Sequence, residues 1–274
     1  MGTSTRWPGP KGGAWIAPNR RLGELDRQAS ESTRNENNPK TEDQRAVNDQ
    51  STAEIQAAII AKQCWEALAQ TLCDDPDAYG LRDAALTTGG RLVRVLAELA
   101  STGPTALGPL SGDTPDARLV TFVQRFTDRV VGAGSSPVYA AARRAAVDCT
   151  DKILQDPRIH SAVAEGDPAS KLHLSGDLLC LIYRLFFARL VSRFIQAAIA
   201  AKINLLMPWW QAVDPAGKLS EWLTANIMAV LPNPCEVKQD RGDDGISLAD
   251  LARDLLEETV KRALGLPVDT SGAT

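Results

Sequence analysis

Histidine is almost absent from this chain: there are two in 274 residues, His160 and His173. Neither sits in an HxxE or HExxH frame, and no cysteine or carboxylate spacing completes a metal-ligand set around them. The sequence therefore offers no metal centre, and His160 and His173 read as surface or capping residues. Cysteine is scarce as well. Cys64, Cys73, Cys149, Cys180 and Cys235 are odd in number, widely spaced and without a CxxC pair. That pattern excludes a paired-cysteine metal knuckle and reads as reduced core thiols of a cytoplasmic protein. Long uncharged apolar runs are lacking too. The most apolar stretch, DLLCLIYRLFFARLVSRFIQAAIAAKINLLMPWW, is broken by Arg184, Arg189, Arg193 and Lys202. Between those breaks its longest uncharged run is Phe194 to Ala201, far short of the ~20 residues a span requires. A buried or amphipathic helix is expected there, with no stable membrane insertion. A secretory h-region is missing as well, since none follows Arg6 and Lys11.

Catalytic and cofactor signatures are equally thin. GPKGG at residues 9–13 places its lysine before the paired glycines and has no strand before it, so it is no phosphate loop. GAGSSP at residues 132–137 lacks the third glycine of a dinucleotide fingerprint and lies between helices. No GxSxG frames a nucleophile. The chain reads as a non-enzymatic protein with no cofactor. A formal net charge of -4 argues against wholesale coating of nucleic acid, without excluding a local basic patch.

What is present is helix after helix. Strand alternation and a repeat of fixed period do not occur. The expected fold is all-α, a multi-helix bundle or array behind a disordered N-terminal arm. Four segments follow: a Gly/Pro/Trp tail over residues 1–22, a polar linker over 23–52, a helical domain over 53–265 and a short tail over 266–274. The linker, GELDRQASESTRNENNPKTEDQRAVNDQST, has too few apolar residues to offset the entropy of ordering and is expected to be disordered. Tail and linker together would form an arm with an r.m.s. reach of roughly 40 Å.

In the body, AEIQAAIIAKQCWEALAQTLC sets Ile55, Ile59, Cys64, Trp65, Leu68 and Leu72 at helical spacing. LRDAALTTGGRLVRVLAELA carries a Gly89-Gly90 pair at which a helix can kink or split. A long central helix is expected over about 175–207, ended by Pro208. A last helix is expected over about 247–264, opened by Ser247 and Asp250 in capping-box spacing.

The central helix is basic, with Lys171, Arg184, Arg189, Arg193 and Lys202 against Asp177. Arg189 and Arg193 share a side of it, with Arg184 well around from them. Such a face can meet nucleic acid, an acidic partner or a membrane surface. It can equally be paired within the fold. The acids Asp240, Asp243, Asp244, Asp250, Asp254, Glu257 and Glu258 are one internal source of partners.

The N-terminal MGTSTRWPGPKGGAW holds two of the six tryptophans. Gly2 follows Met1, so removal of the methionine would leave an unhindered α-amine with a reference pKa near 7.7–8.0. A myristoylation pattern fails because Arg6 stands where Ser or Thr is wanted. The tail instead reads as a recognition segment. Gly2, Thr3 and Ser4 form its tip, and Arg6, Trp7, Gly9, Pro10, Gly12, Gly13 and Trp15 form a partner-binding stretch anchored by the two indoles.

Met1 to Ser4 followed by Gly9-Pro10 and Gly12-Gly13, then a polar stretch and a helical body, resembles the QatB-like proteins of four-gene bacterial anti-phage (Qat) operons. The resemblance covers about fifteen residues well and the body by architecture. It implies a component of a defence complex with an ATPase, an enzyme similar to 7-cyano-7-deazaguanine synthase, and a TatD-like nuclease. It implies further that the synthase-like partner recognises the MGTS tail and uses Gly2 as an acceptor, that the body docks other subunits, and that nucleic acid is met only indirectly. The competing expectation is a helical nucleic-acid-binding or membrane-acting accessory protein working through Arg184, Arg189 and Arg193.

Overall fold

The computed structural model describes residues 7, 9–35, 42–166, 174–203, 217–242 and 245–268. Among them every regular element is helical, as the all-α expectation has it. In chain order they are α1 (Ile16–Asn35), α2 (Glu42–Asp74), α3 (Leu81–Thr102), α4 (Pro115–Val131), α5 (Pro137–Leu154) and α6 (Pro157–Glu165). The central α7 (Gly176–Ile203) follows, then α8 (Lys218–Val230), α9 (Pro234–Arg241), α10 (Leu248–Asp254) and α11 (Leu256–Ala263). Short 3-10 turns precede α1 and α3 and follow α3.

Local chemistry explains where these helices start. Proline takes an early position in α4, α5, α6 and α9, where its missing N–H is not needed. The residue before it caps in three cases. Thr114 accepts from the Ala117 N–H at 3.2 Å, Asp156 from Arg158 at 2.9 Å and Asn233 from Cys235 at 3.1 Å. Ser247 accepts from the Asp250 N–H at 3.1 Å and donates to its carboxylate at 2.6 Å, completing the cap expected from their spacing. The expected last helix is bent into α10 and α11 at Leu255.

α7 is the hub, touched by α2, α3, α5, α8, α9, α10 and α11. Phe186, Phe187, Leu190, Val191, Phe194 and Ile195 are all buried along it, each contributing about 1.5–3 kcal/mol. α5 meets it with a small-residue face, Ala141, Ala142, Ala145, Ala146 and Cys149, which lets the two backbones run close. Two buried polar links tie the last helix in. Tyr183 and Thr259 share a hydrogen bond of 2.8 Å, and the Trp65 indole donates to the Ala263 carbonyl at 3.0 Å. Among the described residues no helix is long and apolar enough to cross a membrane.

Several expectations need correction. α3 runs unbroken through Gly89-Gly90, so the pair makes no kink. Gly89 is buried there because a Cβ would lie 2.6 Å from Phe187 Cζ and 2.8 Å from Leu256 Cδ1; the glycine buys close approach. The apolar stripe of α2 is Ile60, Cys64, Leu68 and Leu72, four residues apart, while Ile55 is 58% exposed. Cys180 and Cys235 are not reduced thiols but a disulfide, with a Cα–Cα distance of 6.0 Å. The return of α9 to the start of α7 brings them within bridging range across 55 residues of sequence. Cys64 and Cys149 are free and buried, and Cys73 is free and exposed. The inference of a cytoplasmic location from reduced thiols loses that support.

Candidate functional site

The described chain runs helically through 23–35 and 42–52, the greater part of the stretch read as polar coil. Its Glu, Arg, Gln and Ala are good helix formers, and α2 begins before Ala53, at Glu42.

The tail itself is docked. Gly12 opens a 3-10 turn with φ 123°, and the Trp15 N–H closes it on the Gly12 carbonyl at 3.2 Å. That turn drives the Trp15 indole into the body, where it is 2% exposed. Its Nε1 donates to Thr71 Oγ1 at 3.0 Å, and Thr71 donates in turn to the Ala67 carbonyl at 2.7 Å. Two turns further on, Leu22 of α1 is buried in the same core. Trp7 lies half-buried with its ring 5.6 Å from Phe194, and Tyr79 packs on Phe194 at 5.5 Å. Tyr79 holds φ 62°, a left-handed backbone rare for a bulky residue. Burial raises its phenol above the usual tyrosine range, partly offset by Thr71 and Trp15 beside it. The clamp on the tail therefore includes a strained residue.

The expected partner-binding residues divide accordingly. Gly9, Pro10 and Trp15 are buried, Trp7 is half-buried, and Gly12 and Gly13 are exposed. Both indoles, expected to anchor a partner, pack on this chain's own body. A partner cannot grip Trp15 while it stays docked. Gly2, Thr3, Ser4 and Arg6 lie outside the described residues. The six residues before Trp7 extend at most about 20 Å, half the roughly 40 Å expected of the whole arm as a coil.

Two arginines of the basic helix share an acid inside the fold, and the third is held by a backbone carbonyl. Arg193 makes a forked contact with Asp148 of α5, Nε to Oδ2 at 3.0 Å and Nη2 to Oδ1 at 2.8 Å, and donates to Gln196 at 3.2 Å. Arg189 sits 3.7 Å from the same carboxylate and donates to Ser220 Oγ at 3.3 Å. Arg184 donates to the Met228 carbonyl on α8. The partner acid is thus Asp148, not the acidic stretch after Glu236, because α5 and not the C-terminus covers this side of α7. Lys202 and Lys171 fall where no side chain is described. Arg189 alone of the three borders a groove of about 500 Å³ between α5, α7 and α8, with Asp148, Asp151, Lys152 and Glu221 among its walls beside Leu181, Leu185 and Met228. Burial and Asp148 raise the Asp151 carboxyl above the ordinary range. Both charge signs are present there, and among the described residues no cluster of His, Cys, Asp or Glu is placed to hold a metal ion.

Compared with protein-family models, curated proteins and solved structures, the chain matches none.

Proposed function

We propose that the chain is a non-enzymatic component of an anti-phage defence complex of the Qat type. In this reading its MGTS tail is recognised, and modified at Gly2, by a 7-cyano-7-deazaguanine-synthase-like enzyme. The helical body docks the ATPase or the TatD-like nuclease, and nucleic acid is met through the nuclease.

The N-terminal motif motivates the reading, and the observation that supports it is the docking of Trp7 and Trp15. A clamp at Trp7 sets the point from which the tip leaves the body and keeps it within about 20 Å of Phe194 and Tyr79. An enzyme reaching Gly2 must then also meet that surface, which gives it a means of selecting this amine over others. The chemistry asked of Gly2 is simple. Its uncharged α-amine attacks the carbonyl carbon of a carboxylate adenylated by ATP in the partner. The C–N amide bond forms, AMP leaves with the C–O electron pair, and the ammonium proton passes to water. At neutral pH a useful fraction of such an amine is uncharged.

Intact-mass spectrometry of the protein expressed with and without the synthase-like enzyme tests this. A mass increase confined to the N-terminal peptide, and lost in Gly2→Pro, is expected. An unchanged mass, or a Gly2→Pro variant with full defence, refutes the acceptor role.

A further inference from the structure

Six arginines gather where α3, α4 and α5 meet, and among the described residues only one acid is paired with them. On α4, Arg118, Arg125 and Arg129 stand seven and four residues apart and so share one face. Arg118 donates to the Ala164 carbonyl at 2.6 Å and the Gly112 carbonyl at 2.9 Å. Arg125 donates to the Leu107 carbonyl at 3.2 Å and Arg129 to that of Ala106 at 2.7 Å. At the end of α4, Arg91 of α3 donates to the Val131 carbonyl at 2.8 Å and Arg143 of α5 to that of Gly132 at 2.9 Å. Arg94, one turn beyond Arg91, is exposed.

These acceptors are backbone carbonyls, which orient a guanidinium without neutralising it. Glu98 pairs with Arg129. Asp113, Asp116 and Asp128 are near in sequence, yet none forms an ion pair with these arginines among the described residues. The row runs from Arg118 to the C-terminal end of α4 and is about 20 Å long. Apart from exposed Arg94, each guanidinium has five donors and spends one or two on the fold. The remainder are held in fixed planes, which lowers the ordering cost of gripping a phosphate.

A cleft of about 400 Å³ opens at the Arg118 end, lined by Pro104, Pro109, Leu110 and Ala162. Gly108 and Gly166 lie in its wall, with Arg125 and Arg118 against them: a Cβ on Gly108 would lie 2.9 Å from Arg125 Nη1, and one on Gly166 2.8 Å from Arg118 Cδ. Neither guanidinium lines the recess itself; each packs against one of its wall glycines, which sets two fixed cations beside an apolar recess that can take a sugar or base.

We infer that this arginine row binds the phosphate backbone of a nucleic acid, with one nucleotide lodged in the cleft between Arg118 and Arg125. It gives the body a direct contact, where the proposed function reaches nucleic acid only through a partner, and it stands independently of the fate of Gly2.

The full-length protein is titrated by fluorescence anisotropy with a labelled oligothymidylate strand and with a duplex of equal length. With four phosphates contacted, single-strand affinity falls about 50-fold between 50 and 200 mM salt. Arg125→Gln combined with Arg94→Glu weakens binding at least about tenfold. Arg94→Glu alone removes no hydrogen bond from the fold, weakens binding several-fold, and leaves the thermal melt unchanged. Arg193→Gln leaves affinity as it was. The inference is overturned by failure to bind either form at low salt, or by full affinity in Arg94→Glu and the double variant. It is equally overturned if polyglutamate competes as well as unlabelled strand, which would make the row a docking face for an acidic protein.

Discussion

Replacing Trp15 by alanine should free the N-terminal segment while leaving the helical body folded. The indole is 2% exposed and bonded to Thr71 at 3.0 Å. Truncating such a side chain costs about 3–5 kcal/mol where the surroundings cannot relax. Here they can relax, because residues 7–22 can detach while α2 and α7 remain packed. The loss therefore saturates at the docking free energy of the segment: once it has left, nothing more of Trp15 can be lost. A cost of about 3 kcal/mol corresponds to more than a hundredfold rise in the undocked fraction, confined to the segment that opens. Hydrogen exchange followed by mass spectrometry distinguishes this from global loosening. Peptides covering 9–22 should lose their protection, and those covering Leu81–Leu99 and Phe186–Ile195 should keep theirs. Trp15→Phe retains most of the apolar area and forfeits the hydrogen bond, so it should cost about 1 kcal/mol. Unchanged exchange over 9–22 in Trp15→Ala would show that the indole is not what holds the tail. Equal acceleration throughout the body would show that the tail is no separable unit.

Gly89→Ala must push Phe187 and Leu256 aside and should cost about 1–3 kcal/mol in urea unfolding. Gly90→Ala, whose Cβ would meet only Leu256 Cδ2 at 3.8 Å, should be neutral or stabilise by up to about 1 kcal/mol. The Cys180–Cys235 bridge closes 55 residues and by loop entropy contributes about 4 kcal/mol. Reductant should thus lower the melting temperature of the wild type and leave a Cys180→Ala/Cys235→Ala variant unmoved. A thiol reagent at neutral pH should modify Cys73 quickly and reach Cys64 and Cys149 only on unfolding. Burial pushes Cys64 up to about 12 and Cys149 well above the ordinary thiol range. Because both thiols deprotonate more readily unfolded than folded, their contribution to stability should also decline as pH rises above 9.0. Asp148→Asn strips one carboxylate from two arginines that are about a quarter exposed and should cost about 2 kcal/mol, screened by solvent. The Arg193→Gln/Asp148→Asn pair should recover part of it in a double-mutant cycle.

The helices were legible because their signals are local. The apolar character of α7 survives its arginines, whereas the short α6 and α9, which open at proline after Asp156 and Asn233, were not picked out although the same cap-proline pair starts α4 at Thr114. What depends on distant partners was not legible. Nothing in the spacing of Cys180 and Cys235 says that α9 returns to the root of α7. A Gly-Gly pair signals a weak point in a helix equally with a point of close contact, and only Phe187 on the facing helix decides which. The same limit governed the candidate sites. Charge counted along one helix singles out Arg184, Arg189 and Arg193, yet a charge is cancelled or left standing by what packs against it. Asp148 reaches Arg189 and Arg193 from α5, whereas Arg184, like Arg91, Arg118, Arg125 and Arg143, meets a carbonyl that cannot neutralise it. The tail followed the reverse course. Its two tryptophans were read as anchors for a partner, and composition cannot say whether an indole is kept for a partner or spent on the chain's own core. Thr71, Tyr79 and Phe194 supply that answer for Trp7 and Trp15: both are spent on the chain's own core.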